Sequence, residues 1–236
     1  MQQYDIFAKF YDDTMGDRSA TVEYLCGLIE KSNPKAHNLM ELACGTGELL
    51  RAFDGRYEVS GLDLSRGMLK IARKKLPRAR FYQASMAGFE LPEKYDVILC
   101  VFDSINHLLK FSDWKKVFRS ASRHLNDKGV FIFDMNSVGK LEDIVTWPEA
   151  VYDCGNSTAI MSVKDMGSGV VAWNVRVFEK MKGDLYKLHE EEIEETSFPV
   201  AKVKEALAPY FGKVKMISKG VGIGDEGDRL YFVCKK

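Results

Sequence analysis

"ELACGTGELL", residues 41–50, is the stretch on which the fold turns. Gly45 and Gly47 stand one residue apart, after a strand-like apolar run (38–43) and at the start of a helix-like one (47–54). Glycines at a strand-to-helix turn let the backbone approach a bound polar group closely. Three readings compete. The nicotinamide-binding pattern G-x-G-x-x-G is broken, because Leu50 takes the place of the third glycine. The phosphate-binding string G-x-x-x-x-G-K-[ST] does not occur in the chain. What remains is acidic-x-A-x-G-x-G headed by Glu41, with Asp63 sixteen residues beyond Gly47 at the end of the next strand-like run. An acidic residue there accepts the hydroxyls of a ribose. The missing third glycine fits a cofactor carrying a methionine moiety in place of a pyrophosphate. The alternative is a tight turn with a structural role only.

The segments around this turn alternate. "TVEYLCGLIEK" places Val22, Leu25, Cys26 and Ile29 on one helical stripe. Strand-like runs follow at 57–63, 79–84 and 95–101, the last of them, "YDVILCV", apolar enough to be buried on both faces. A helix from Ser65, a good N-cap, to about Leu76 is stopped by Pro77. Another starts near Asp113, with Trp114, Val117, Phe118, Ala121 and Leu125 at helical spacing. Asp127-Lys128-Gly129 then turns the chain into "VFIFDM", 130–135. Strands alternating with helices predict βαβ crossovers, hence an α/β fold with a Rossmann-like, doubly wound, mainly parallel sheet.

After residue 145 the pattern changes. Short strand-like runs succeed one another at 150–154, 157–165, 170–181 and 185–198, with hairpin turns at Gly167-Ser168-Gly169 and Lys182-Gly183-Asp184. Val171, Trp173, Val175 and Val177 alternate at period two. The Glu-rich run 185–196 is read as a strand, a helix being the alternative. A helix at 200–210 and strands at 213–219 and 229–235 close the chain. The expected organisation is a cofactor-binding core with an N-terminal helical cover (1–145), an antiparallel β insertion (146–198), and a last helix and strands (199–236) completing the core sheet.

Composition bounds the function. The 236 residues carry 34 Lys+Arg and 34 Asp+Glu, a formal net charge of zero, whereas nucleic-acid binders normally show a basic excess. No apolar run approaches the ~20 residues of a membrane-spanning helix. The amino terminus lacks the layout of a signal peptide, and the five cysteines are odd in number and widely spaced. A reduced, cytoplasmic protein is expected, with no nucleic-acid and no membrane partner. The four histidines show no metal-binding spacing, and no metal is expected.

"ELACGTGELL" followed by "GLDLSRGML" resembles the first two motifs of the class I S-adenosylmethionine-dependent methyltransferases. The resemblance continues in "YDVILCVFDSINHL" and "LNDKGVFIFDMNS". The start, "YDIFAKFYDDTMGD", looks like the amino-terminal segment of the small-molecule branch, which closes over the cofactor. The β insertion before the last two strands is like that of bacterial sugar N-methyltransferases and their uncharacterised relatives. The resemblance implies that the backbone of Ala43, Cys44, Gly45 and Gly47 and the acidic Glu41 form the methionine end of the cofactor site. It implies Asp63 on the ribose, Leu64 and Met68 flanking the adenine, and Ser85 and Met86 at the adenine edge. Phe102 and Asp103 border the methionine amino group. Ser85, a weaker acceptor for the adenine amino group, stands where many members have Asp.

Tyr11 and His107 match a tyrosine and a histidine that lie close to the transferred methyl in the resembling enzymes. On a catalytic reading His107 orients the acceptor or takes its proton, while Tyr11 shapes the sulfonium pocket; on a structural one His107 caps a helix and Tyr11 packs on the cofactor. The reaction implied is an in-line methyl transfer to a small molecule, N-methylation favoured over O-methylation, with S-adenosylhomocysteine as product. The alternatives are an RNA or protein methyltransferase, or a cofactor-binding protein without turnover. The insertion is an acceptor cover or an oligomer contact, in a monomer or a homodimer. Three polar runs have blander readings: the basic "SRGMLKIARKKLPRAR" (65–80) and the acidic "EEEIEE" (190–195) as solvated faces, and Asp134 with Asn136 as turn formers rather than metal ligands beside Asp103.

Overall fold

The chain begins with a 3-10 turn (Phe7–Lys9), α1 (Tyr11–Met15) and α2 (Ser19–Ser32), which lead into β1 (Asn38–Leu42). There follow α3 (Glu48–Phe53), β2 (Glu58–Asp63), α4 (Arg66–Lys75), β3 (Arg80–Gln83) and β4 (Tyr95–Cys100). A second 3-10 turn (Ser104–His107), α5 (Phe111–His124), β5 (Leu125–Asn136) and α6 (Val138–Ile144) come next. The hairpins β6 (Ala150–Cys154), β7 (Ser157–Gly167), β8 (Val170–Lys180) and β9 (Tyr186–Thr196) precede α7 (Val200–Leu207), β10 (Lys213–Ser218) and β11 (Arg229–Lys235). This computed structural model describes residues 4–219 and 229–236, so Met1–Gln3 of the amino-terminal segment and 220–228 of the carboxy-terminal one lie outside the described residues.

The central sheet has seven strands in the order β10-β11-β5-β4-β1-β2-β3. β1 runs parallel to β2 and β4, β4 to β5, and β2 to β3, while β11 is antiparallel to both β5 and β10. Side chains alternate between its faces. Met40, Leu42, Ile98, Cys100, Phe131 and Phe133 pack under Trp114, Phe118 and Ala121 of α5 and Val203 and Leu207 of α7. Leu39, Val97, Leu99 and Ile132 pack on the other face against Leu25 and Ile29 of α2, Leu50 and Phe53 of α3 and Leu69 of α4. Each such side chain, fully buried, is worth about 1.5–3 kcal/mol. The doubly wound α/β architecture is therefore as the alternation of the sequence required.

Two local readings need correction. Asp127-Lys128-Gly129 is a bulge within β5 and not a turn ahead of it: Leu125 pairs with Tyr95 and Val130 with Val97, so extra residues loop out between them. Glycine is needed there because a Cβ on Gly129 would lie 2.8 Å from Leu125 Cδ2 and 3.0 Å from the Asn126 carbonyl oxygen. "EEEIEE" is only half a solvated face. It belongs to β9, a strand rather than a helix, so its members alternate: Glu190 and Glu192 are exposed, whereas Ile193 and Glu195 turn inward.

The hairpins form a second sheet, β6-β7-β8-β9, antiparallel throughout. Its inner face presents Ala159, Met161, Val175, Val177 and Ile193, and against them lie Phe7 and Phe10 of the amino-terminal segment. That segment is also tied to the core. Asp5 accepts from the Ser65 hydroxyl at 2.7 Å, and Asp12 accepts from Lys75 Nζ at 2.6 Å, with Lys75 also donating to Glu48 at 2.8 Å. The 4–15 stretch is thus fastened between the two sheets, over the carboxyl ends of β1, β2 and β4.

Candidate active site

Ligands in open α/β sheets bind outside the carboxyl ends of the strands, where the strand order reverses. The cleft found there lies at the ends of β1, β2, β3 and β4 and is lined by Ala43, Gly45, Asp63, Leu64, Met68, Ser85, Met86 and Phe102. Tyr4, Tyr11, Ser104 and His107 close its near side. Gly45 and Gly47 have φ of 53° and 74°, and Ala43, Phe102 and Asp103 adopt the left-handed region at 54°, 58° and 52°. For residues with a Cβ this costs of order 1–3 kcal/mol each and persists only where the surroundings enforce it.

The enforcing groups are buried carboxylates. Asp63 Oδ2 accepts the Gly45 N–H at 2.8 Å and its Oδ1 accepts the Ser65 N–H at 2.7 Å. These bonds oppose burial, which raises the Asp63 pKa. Asp134 accepts the N–H groups of Phe102 (3.0 Å) and Asp103 (2.6 Å), so it shapes the β4 turn. Burial lifts its pKa to about 6, against the pull of Arg229. Asp103 turns to Asn136 Nδ2 at 2.7 Å and to Arg229 at 3.8 Å. Among the described residues no group of His, Cys, Asp and Glu has the arrangement of a metal site.

Of the residues singled out in the sequence, Glu41, Cys44, Gly47 and Asp103 do not line the cleft. Cys44 Sγ packs on Gly61, where a Cβ would come within 2.6 Å of the sulfur. Gly47 is where α3 meets α4: a Cβ there would lie 3.2 Å from the Ala72 methyl. Glu41 is buried at the end of β1, where its Oε2 has no hydrogen-bond partner among the described residues and burial holds its pKa well above the ordinary value. The Ser85 hydroxyl accepts the Ala87 N–H at 3.1 Å.

His107 meets a partner that sequence reasoning did not single out. Its Nδ1 lies 3.1 Å from the carbonyl oxygen of Glu194 and its Nε2 3.1 Å from the hydroxyl of Tyr4. A carbonyl only accepts, so Nδ1 carries the proton, and the Nε2 lone pair receives the Tyr4 O–H. Burial lowers the His107 pKa and raises that of Tyr4 well above its usual value, so both are neutral at pH 7. Tyr11 packs edge-on to Tyr4 with ring centroids 5.8 Å apart. Asn106 and Asn136 dock the end of β9 to this turn, Asn106 Nδ2 donating to the Thr196 carbonyl at 2.8 Å. No spacing in the sequence links position 107 to 194 or to 4; the chain reversals of the insertion bring them together.

Residues 39–129 match the methyltransferase domain family. A solved S-adenosylmethionine-dependent methyltransferase from Clostridium acetobutylicum superposes with a TM-score of 0.82 at 25% identity, covering 98% of both chains. The chain carries a methyltransferase domain over these residues and has the fold of the S-adenosylmethionine-dependent methyltransferases. A putative methyltransferase of Bacillus subtilis is 29% identical to this enzyme over 99% of its chain and 97% of the relative. The dTDP-3-amino-3,4,6-trideoxy-alpha-D-glucopyranose N,N-dimethyltransferase of Streptomyces venezuelae is 31% identical to the methyltransferase, over 55% of each protein. That match spans about half of the relative's length.

Proposed function

We propose that this methyltransferase transfers a methyl group to an amine nitrogen of a small molecule, an amino sugar being the class its relatives favour. The observation that carries the reading is the hydrogen-bonded line Tyr4–His107–Glu194 carbonyl at the edge of the cleft. The neutral histidine receives the Tyr4 O–H on Nε2, so the proton an amine loses on methylation would pass to the Tyr4 oxygen as Tyr4 gives its own proton to Nε2. Before the transfer Tyr4 is protonated and keeps the imidazole in its Nδ1–H tautomer. Tyr11 walls the same side.

The residues present fit the cofactor. Asp63 has lone pairs left after its two backbone contacts, as a partner for ribose hydroxyls must. The orphaned Glu41 Oε2 would be satisfied by an ammonium at the methionine end. Leu64, Met68 and Met86 would flank an adenine, with Ser85 at its edge and Ala43, Gly45 and Phe102 along the rest. Bound S-adenosylmethionine supplies the methyl on an already activated sulfonium, so the protein chiefly aligns the acceptor and keeps water out. The β insertion serves as acceptor cover, since β9 positions His107.

An RNA acceptor is disfavoured because the basic run 65–80 is partly occupied: Lys75 pairs with Asp12 and Glu48, and Arg80 with Glu93. The five cysteines are free, which supports a cytoplasmic enzyme. Methyl-labelled cofactor offered with a panel of amino sugars, phenols and tRNA tests the reading. Label is expected in an amine; label in tRNA alone would overturn it.

A further inference from the structure

One side of β9 is a seat for the amino-terminal segment. His189, Glu191 and Ile193 alternate onto that side. Ile193 packs with Phe7 and Phe10, and the His189 and Phe10 ring centroids are 6.0 Å apart. His189 Nε2 lies 2.7 Å from Glu179, which also pairs with Lys9. Between these two, Glu191 Oε2 accepts the Phe7 N–H at 3.0 Å. Burial raises the Glu191 pKa, and the N–H groups of Phe7, Tyr4 and Asp5 oppose the rise. A single carboxylate thus gathers the open end of the turn that starts at Tyr4, whose own carbonyl accepts the Ala8 N–H at 3.0 Å. Three residues further on, about 10 Å along the strand, β9 seats the histidine. There the Glu194 carbonyl holds His107 Nδ1 at 3.1 Å and the Thr196 carbonyl holds Asn106 Nδ2 at 2.8 Å. One strand is therefore the common ruler for two groups that meet. The Tyr4 hydroxyl is 3.1 Å from His107 Nε2, with ring centroids 5.4 Å apart.

Building on the reading of His107 and Tyr4 given above, we propose that Glu191 is a positioning residue: it draws the turn at residues 4–7 onto β9 and so sets the Tyr4 hydroxyl against His107. The proton path is complete only while the amino-terminal segment is seated, and the same seating keeps water from that side of the cleft. Reach matters here more than charge, because an N–H donor needs its acceptor at hydrogen-bond distance. A glutamine oxygen at the same reach serves; an aspartate, one methylene shorter, does not.

The pH titration of the His107 ring, followed by NMR of the intact protein labelled with isotopic histidine, reads this arrangement without any substrate. The His107 resonance is the one lost in His107→Ala. In the wild type its midpoint should lie below 6.5, because burial lowers the pKa although Asp103 and the Glu194 carbonyl raise it. Unseating Tyr4 opens the ring to water. Glu191→Ala and Glu191→Asp are each expected to move the midpoint up toward 6.5, whereas Glu191→Gln stays near the wild type. The aspartate variant keeps the charge, so it carries the test should the alanine variant fail to fold. An unchanged midpoint in the shortened variants overturns the positioning role, and so does a glutamine variant that behaves as they do. The expected midpoints in a protein that passes methyl label to no amine would uphold the placement and overturn only the functional reading.

Discussion

Replacing Glu195 by Gln should make the protein more stable, and only above a defined pH. Glu195 is 4% exposed, and its Oε2 accepts from Asn136 Nδ2 at 3.3 Å; the same amide donates to Asp103 at 2.7 Å. Burial first and the Asp103 carboxylate second raise its pKa from 4.5 to about 8. The folded state thus holds a proton that the unfolded chain releases above pH 4.5. Stability from this group is greatest below 4.5, falls as pH rises, and levels off beyond about 8. At about 1.36 kcal/mol per pH unit the linkage is at most about 4 kcal/mol near pH 7.5, and local relaxation of the site would leave roughly 1–3 kcal/mol of it. Glutamine keeps the shape and cannot ionise. At ~2–4 °C per kcal/mol for a chain this size, Glu195→Gln should melt roughly 3–10 °C higher at pH 7.5. Thermal unfolding of both proteins from pH 4 to 9 is the assay, and the two curves should converge below 4.5. A gap that does not change with pH, or a glutamine variant less stable at pH 8, would refute the reasoning.

His107→Ala should lower kcat roughly 10²–10⁴-fold while leaving S-adenosylhomocysteine affinity nearly unchanged, as steady-state kinetics and calorimetry would show. Because burial lowers the His107 pKa, the acid limb of the wild-type kcat profile should lie below the ordinary 6.5 and vanish in that variant. Asp63→Ala removes charge-assisted bonds worth ~1.5–3 kcal/mol each, so S-adenosylhomocysteine should bind at least about tenfold more weakly, with circular dichroism unaltered. Gly61→Ala would force a Cβ to 2.6 Å from Cys44 Sγ and 2.8 Å from the Phe81 ring. Denaturant unfolding should register about 1–3 kcal/mol of lost stability.

Much of this architecture is legible in the amino-acid sequence. The strand–helix alternation and the period-two run from Val171 to Val177 each follow from local patterning, and both sheets appear where those periods change. The cleft residues from Ala43 to Phe102 follow from where strands end. What local patterning does not carry is long-range. The bulge before Val130 depends on crowding between Gly129 and Leu125, which only the folded register creates. Glu195 reads as one member of an acidic run until β9 turns alternate residues inward. Tyr4 lies far from the glycine turn in sequence, and nothing near it announces His107 as a neighbour. Tyr11, recognised by its motif, proves to be the packing partner of the tyrosine that touches the histidine.

The most direct test is a crystal structure with S-adenosylhomocysteine bound. Density is expected along the ends of β1, β2 and β4, with the ribose on Asp63, the adenine beside Leu64 and Met68, and the sulfur facing the side closed by Tyr4 and His107. Density in any other cleft, or a sulfur turned away from that pair, would contradict the proposed site.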